Sequence, residues 1–348
     1  MEGLIRGRDL PAAERRRLLR AGVLRRVARG VYEVRTESAD GVDGAGLADD
    51  AVLTGRAYPR HQAQSAGSGR GSGYRGDLAA ELARDFEIWC QDLARRLVQW
   101  GPGVVVARSS AAALWCLDGF EPPVPITVNT DPRSGLRHAG VRRVTPIEPF
   151  ETIAGFPVTG IGQTLIELGA GLAARPGARN DPTKLTADEL VELAVESALR
   201  EALTTEADLL DLLARVDGRR RGAAVLQRVL ERRPYGAPAT ESYLETRGVQ
   251  VLRRAGVGPG CRQVEVRDRR GRYIKRVDLV LADRVIVEFD GNAFHDPEID
   301  HDLWTAFVAA GYQFVPAGFA KVTRHPSKLV AQIRDALEAA DLGEANRP

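Results

Sequence analysis

Two acids stand where acids are costly. Asp278 lies between Val277 and Leu279 in the run RVDLVL, and Glu288 lies between Val287 and Phe289 in RVIVEFDG. Both runs are apolar enough to read as buried strands, and an ionised carboxylate there must be paired or coordinate a metal. Side chains alternate along a strand. Arg276, Asp278 and Val280 therefore share one face of the first run, and Ile286, Glu288 and Asp290 share one face of the second. A tight connection at 282–284 would pair the two runs and bring Asp278 and Glu288 to the same end of a hairpin. Carboxylates at close range repel, and a divalent cation relieves the repulsion. Mg²⁺ favours one or two carboxylates completed by water and phosphate oxygens, which is the equipment for phosphodiester hydrolysis. The bland alternatives are a strand-end Asp278 paired with Arg276 or Arg262, and a purely structural Glu288.

The elements that must carry these acids are legible nearby. ESYLETRGVQVLRRAGV reads as an amphipathic helix with Leu244, Val249, Val251 and Leu252 as core residues. CRQVEVRDRRGRYIKRVDLVL reads as a β-hairpin turning at Asp268–Gly271, with Gly271 free to take a positive φ. RVIVEFDG is the third strand. The hairpin is strongly basic. Arg270, Arg272, Lys275 and Arg276 are either a solvated tip or a clamp on nucleic-acid phosphates beside the acids.

The runs TESYLE, RVDLVLADRVIVEFDGNAFH, AGYQFVPAGFAKV and HPSKLVAQIRDAL, together about residues 236–338, resemble the PD-(D/E)xK nuclease signature. More closely they resemble domains related to the very-short-patch-repair (Vsr) mismatch endonucleases. The resemblance implies a restriction-endonuclease-like fold, a mixed sheet flanked by helices. It implies catalytic roles for Glu241, Asp278, Glu288, Asp290 and His295, with Asp278 and Glu288 as ligands of Mg²⁺ or Mn²⁺ and Glu241 as the helical acid supporting the metal. His295 is a candidate proton donor or acceptor. The chain departs from the pattern at two places. Asp290 stands where the signature has lysine, leaving Lys275 and Arg276 as nearby substitutes. Asp302 is followed by Leu303 and Trp304 where relatives carry an arginine.

The N-terminus carries a second signal. Residues 1–35 hold ten arginines against four acids, a surplus of six positive charges on a short segment. That is either a nucleic-acid footprint or a solvated helix face. Residues 10–21 read as a helix with Pro11 in its first turn and Gly22 at its stop, followed by a strand, a turn near Arg29-Gly30 and a second strand. The sequence LRAGVLRRVARGVY resembles the end of the winged-helix domain of AbiEi-type antitoxins of type IV toxin–antitoxin systems. Only MEGLIRGRDL precedes the predicted recognition helix, where the family has a further helix. The resemblance implies DNA contacts from Arg15, Arg16, Arg20, Arg25 and Arg26. The order GPGVVVARSSAAALWCLDG, PITVNT, FPVTGIGQTLIELG resembles the body of the same family and carries no evident chemistry. Ser109 is a plausible cap for the helix SSAAALWCL, with phosphate contact by Arg108, Ser109 and Ser110 as the lesser alternative.

These readings divide 348 residues into four parts. They are a winged-helix-like segment (1–60), a Gly/Ser-rich linker (61–76), an α/β middle domain (77–235) and a nuclease domain (236–340), in a multi-domain α/β protein. Hydrophobic residues at 44% predict a core-forming chain, no run approaches the ~20 apolar residues of a membrane span, and no secretory signal opens the sequence. Three scattered cysteines, Cys90, Cys116 and Cys261, make neither a disulfide framework nor a zinc site and fit a cytoplasmic protein. The expected function is metal-dependent cleavage of DNA in phage defence, repair or a toxin–antitoxin context, with a cognate toxin or defence protein as a partner. A DNA-binding, antitoxin-like regulator with an inactive nuclease domain is the alternative, and a protein-interaction scaffold is the third.

Overall fold

The computed structural model describes residues 4–6, 24–28, 31–34, 72–172, 181–216, 220–234, 236–289 and 297–345. Within them the chain is mixed α/β, with three sheets and ten helices. Contacts group it into two compact units. One contains Arg70–Gly171 and Ala198–Gln227 together with the N-terminal strands, and the other contains Leu172–Ser197 and Arg228–Pro348. No helix among the described residues is long and apolar enough to cross a membrane.

In the first unit, β1 (Leu4–Arg6), β2 (Leu24–Ala28) and β3 (Val31–Val34) form an antiparallel sheet in the order β1-β3-β2. β2 and β3 occupy the predicted strand–turn–strand and carry Arg25 and Arg26. The predicted helix over 10–21, with Arg15, Arg16 and Arg20, lies outside the described residues. Helix α1 (Ser72–Trp100) starts inside the segment expected to be a linker. Extending a formed helix by a turn fixes few residues per hydrogen bond gained, so Gly73 and Gly76 do not stop it.

A five-stranded mixed sheet follows. Its elements are β4 (Val105–Val106), α2 (Arg108–Leu114), β5 (Val128–Thr130), β6 (Val141–Arg143), β7 (Phe150–Ile153) and β8 (Phe156–Thr159), with strand order β6-β5-β4-β8-β7. Helix α3 (Ile161–Gly171) comes next. Ser109 does not cap α2. The cap position is Ala107, which makes no side-chain cap, and Ser109 already sits inside the first turn. The buried Ser110 hydroxyl instead accepts from the Thr127 N–H at 2.8 Å and donates to the Pro125 carbonyl at 2.9 Å, tying α2 to the strand that follows. Three helices complete the middle of the chain: α4 (Ala187–Arg200), α5 (Glu206–Arg215) and α6 (Ala223–Glu231). Threonine 205 and Asp208 close a reciprocal capping box on α5.

The second unit is built on a four-stranded sheet. Helix α7 (Tyr243–Arg254) leads into β9 (Cys261–Arg267), β10 (Tyr273–Leu281) and β11 (Val285–Glu288). Helix α8 (Pro297–Ala310) connects to β12 (Gln313–Pro316), and α9 (Phe319–Thr323) and α10 (Pro326–Ala345) end the chain. The order is β12-β11-β10-β9, with β9, β10 and β11 antiparallel and β11 parallel to β12. A parallel pair needs a crossover, which α8 supplies. Both predicted turns are present. Asp268 N–H donates to the Arg272 carbonyl across Gly271 (φ 79°), and Ala282 and Asp283 both take positive φ in the short connection between β10 and β11.

Each face of this sheet buries its own cluster. Leu279, Leu281, Val285, Val287 and Val315 pack with Leu244 and Leu252 of α7 and with Leu329 and Ile333 of α10. Val266, Val277, Val280 and Ile286 pack with Phe307 of α8, whose ring stacks on Phe314 at 5.5 Å. Gly248 sets the approach of α7. A methyl group there would meet the Phe289 ring at 1.9 Å, so the ring lies directly on the helix backbone. Gly248→Ala must push that ring aside, and we expect a loss of about 1–3 kcal/mol, the usual cost of overpacking. Gly258→Ala, where nothing lies within 4 Å, should leave the urea midpoint nearly unchanged. Equal midpoints for the two variants would refute this packing.

Candidate active site

The acids meet where the ladder between β10 and β11 ends. The last pair is Leu279↔Val287, and Asp278 and Glu288 occupy the next register positions beyond it. Asp278 also lies between the pairs Val277↔Val264 and Leu279↔Arg262, which puts it opposite Gln263 on β9. Strict alternation fails here. Val277 and Val280 both join the cluster under α8, while Leu279 joins the other face. The break coincides with a left-handed φ of 53° at Gln263, a conformation that redirects the strand locally.

A third acid comes from α7. Glu245 is buried at 1% exposure, and its carboxylate accepts from the Glu241 N–H at 2.6 Å. The Gln263 amide nitrogen lies 3.2 Å from Glu245 Oε1 and 3.4 Å from Asp278 Oδ1, so one NH₂ group bridges two carboxylates. The other Asp278 oxygen accepts from the Phe289 N–H at 2.8 Å. Lys275 Nζ is 3.1 Å from Glu288 Oε1. Burial pushes the Glu245 carboxyl up to about 7, and the nearby Asp278 adds to the rise. The Glu241 N–H, Gln263 and Arg262 oppose it. Burial also raises Asp278, against the Phe289 N–H, Gln263 and Lys275.

Helix α4 holds the strands that carry this group. Glu196 accepts from Arg233 and Arg262 at 3.0 Å each and from the Thr240 N–H at 3.1 Å. Thr240 immediately precedes Glu241, and Arg262 immediately precedes Gln263. One buried carboxylate thus fixes the start of α7 and the kinked point of β9. Glu192 takes both Nη atoms of Arg253, at 2.8 and 2.5 Å, and Glu189 pairs with Arg254.

Among the described residues no cluster of three or more His, Cys, Asp and Glu side chains encloses a metal position. The donors nonetheless fit an openly held divalent cation. Glu245 and Asp278 are hard oxygen ligands held together by one amide, both with raised proton affinity, and Mg²⁺ or Mn²⁺ would complete its shell with water and phosphate oxygens.

Compared with known proteins, the chain matches no family model, no curated protein and no solved structure. The site therefore stands on its own geometry.

That geometry brings together Asp278, Glu288 and Lys275 of the residues singled out in the sequence. Glu241 lies within electrostatic reach of Asp278, but its carboxylate is half exposed and pairs with Arg276 at 2.5 Å. Arg270 and Arg272 are exposed at the tip of the hairpin, where Arg272 pairs with Asp268 at 2.7 Å. Asp290 and His295 lie outside the described residues. The sequence reading missed Glu245 and Gln263. Ser242-Tyr243-Leu244-Glu245 reads as a helix-capping box, and Ser242 Oγ does accept from the Glu245 N–H at 3.0 Å. The Glu245 side chain, however, turns into the core beside Asp278. A signal was present, since Glu245 falls one heptad before Leu252 on the buried side of the helix.

The raised Glu245 carboxyl gives metal-free protein a pH dependence. Its folded value lies above the ~4.3 of an unfolded glutamate, so the stabilisation that goes with its proton is complete below about pH 4.3. It is lost as pH rises through about 7. Urea midpoints in a chelating buffer should fall over this window, at about 1.4 kcal/mol per pH unit at most, and Glu245→Gln should flatten the fall. An identical slope in the variant would contradict the assignment.

Proposed function

We propose that the second unit is a metal-dependent endonuclease of restriction-endonuclease-like fold that hydrolyses phosphodiester bonds in DNA. The observation that carries this reading is the bridging of Glu245 and Asp278 by Gln263 at one end of a mixed, helix-flanked sheet, with the Lys275–Glu288 pair on the adjoining strands. In this account Glu245 and Asp278 hold Mg²⁺ or Mn²⁺. The bound ion would supply an activated water and neutralise charge on the phosphate. Gln263 keeps the two carboxylates at a fixed separation. Lys275 supplies the positive charge that the signature draws from the position now held by Asp290, and it faces charge developing on the scissile phosphate. Asp290 and His295 are assigned to the same site on the resemblance alone.

The exposed Arg270 and Arg272 suit non-specific contact with a nucleic-acid backbone, which lowers affinity as salt rises. We assign the N-terminal strands, with Arg25 and Arg26, a winged-helix-like role in DNA contact, in keeping with the arginine surplus of residues 1–35. A cognate toxin or defence protein fits the same reading as a partner.

The test is nicking of supercoiled and mismatch-containing DNA with Mg²⁺ or Mn²⁺. Glu245→Gln and Asp278→Asn should each slow cleavage by roughly 10²–10³-fold, the size of losing one charge at a transition-state site. Glu241→Gln should remain within a few-fold of wild type. Binding of duplex DNA without cleavage under any metal would replace this reading with that of a regulator.

A further inference from the structure

The first unit contains a cationic site that the nuclease reading does not use. At its centre is Glu167 on α3, 3% exposed. Both of its oxygens accept from Asn129 Nδ2, at 2.7 and 2.9 Å, and one also accepts from Gln163 Nε2 at 2.8 Å. Two arginines, Arg108 and Arg220, act on this one acid, and Arg142 and Arg221 lie within electrostatic reach of Arg108. Arg220 Nη2 stands 3.8 Å from it, while Arg220 Nη1 donates to the Thr145 carbonyl at 2.9 Å. Arg108 starts α2 with a left-handed φ of 53°, and its guanidinium lies over Gly171, one turn beyond Glu167. Arg142 stands beside Asn129 in register on the neighbouring strand. The exposed Arg221 follows Arg220.

A close backbone contact holds the arrangement. Gly222 takes a φ of 94°, and a methyl group there would lie 1.9 Å from the Ile166 carbonyl oxygen. Only glycine permits this approach, which sets Arg220 and Arg221 against the turn of α3 that bears Glu167.

Three buried polar atoms here make no hydrogen bond: Arg108 Nε, Arg220 Nη2 and Asn129 Oδ1. Native proteins rarely leave such atoms unmade. Three of the roughly four acceptor positions of Glu167 are taken by Asn129 and Gln163, which leaves too few for both guanidinium groups. Water could fill single atoms, but it would not offset the charge of Arg108 and Arg220, because burial pushes up the carboxyl of the acid they face, Glu167. Burial lowers the proton affinity of Arg108; Glu167 opposes the shift, and the neighbouring Arg142 and Arg221 add to it. Two guanidinium donors call for an anion with several acceptor oxygens. The free Asn129 oxygen, on a side chain 5% exposed, calls for a hydroxyl or a protonated oxygen on the same ligand.

We propose that Arg108, Arg220, Arg221 and Asn129 form a phosphate-binding site on the first unit, separate from the carboxylate site of the second and independent of the nuclease reading. The phosphate belongs either to a free nucleotide or to a nucleic-acid backbone.

Titration calorimetry on the full chain in metal-free buffer tests this with three probes: inorganic phosphate, ATP, and a short single-stranded oligonucleotide with or without a 5′-phosphate. Arg108→Gln, Arg220→Gln and Arg221→Gln should each weaken binding by about tenfold or more. Arg221 is exposed, so its variant keeps the test valid should the other two misfold. Binding of phosphate and ATP that the substitutions weaken identifies a free-nucleotide site. Binding of the oligonucleotide alone, weakened in the same way, identifies a backbone site. No saturable binding of any probe, or affinities that all three substitutions leave unchanged, would overturn the proposal.

Discussion

Two carboxylates sharing one amide nitrogen set the terms for the second unit. Glu245 and Asp278 both lie within reach of Gln263 Nε2, in surroundings that disfavour charge. Glu245 is buried and Asp278 half-buried, and burial disfavours the charged form of both. Either a proton stays on the pair or a cation replaces it. The neighbouring Glu288 already has Lys275 against it at 3.1 Å, so the lysine charge is partly committed. In the proposed nuclease a divalent ion would take the place of that proton.

Much of the surrounding structure exists to hold that pair in place. Gly248 lets the Phe289 ring rest on α7, and the Phe289 N–H is the group that fixes one oxygen of Asp278. Glu196 grips Arg262 and the Thr240 N–H, one residue from each end of the hydrogen-bonded bridge. Buried ion pairs of this kind add little net stability over apolar packing, because desolvation offsets most of the attraction. Their effect is geometric: the three acids Glu189, Glu192 and Glu196 fix where α7 and β9 sit against α4. The second unit therefore depends on a helix from well upstream of residue 236.

The strands and their register were legible in the sequence because burial imposes alternation and glycine marks the turns. Asp268–Gly271 and the 282–284 connection fix the strand pairing that puts Asp278 and Glu288 at the same end of the hairpin. Helix α7 was equally clear from Leu244, Val251 and Leu252. What failed was side-chain direction at a helix start. Glu241 and Glu245 flank the same N-cap, Ser242, and sequence alone does not say which acid turns inward. Packing decides: Glu241 finds Arg276 at the surface, and Glu245 finds Gln263 and the Glu241 N–H inside. The left-handed Gln263 was likewise invisible, since glutamine carries no preference for that conformation. The attachment of α4 was missed for a different reason. Glu189, Glu192 and Glu196 meet arginine partners 37 to 66 residues away, a pairing that no local pattern announces.

The central claim is that Glu245 and Asp278 exchange a proton for a divalent cation. Mn²⁺ titrated into the full chain near pH 6.5, in two buffers of different ionisation enthalpy, reports both the binding and the proton released. The account predicts one site whose binding expels a fraction of a proton. Glu245→Gln should abolish that release and weaken affinity, and Asp278→Asn should weaken affinity further. Mn²⁺ binding with no proton release, or with the same affinity in both variants, would contradict it.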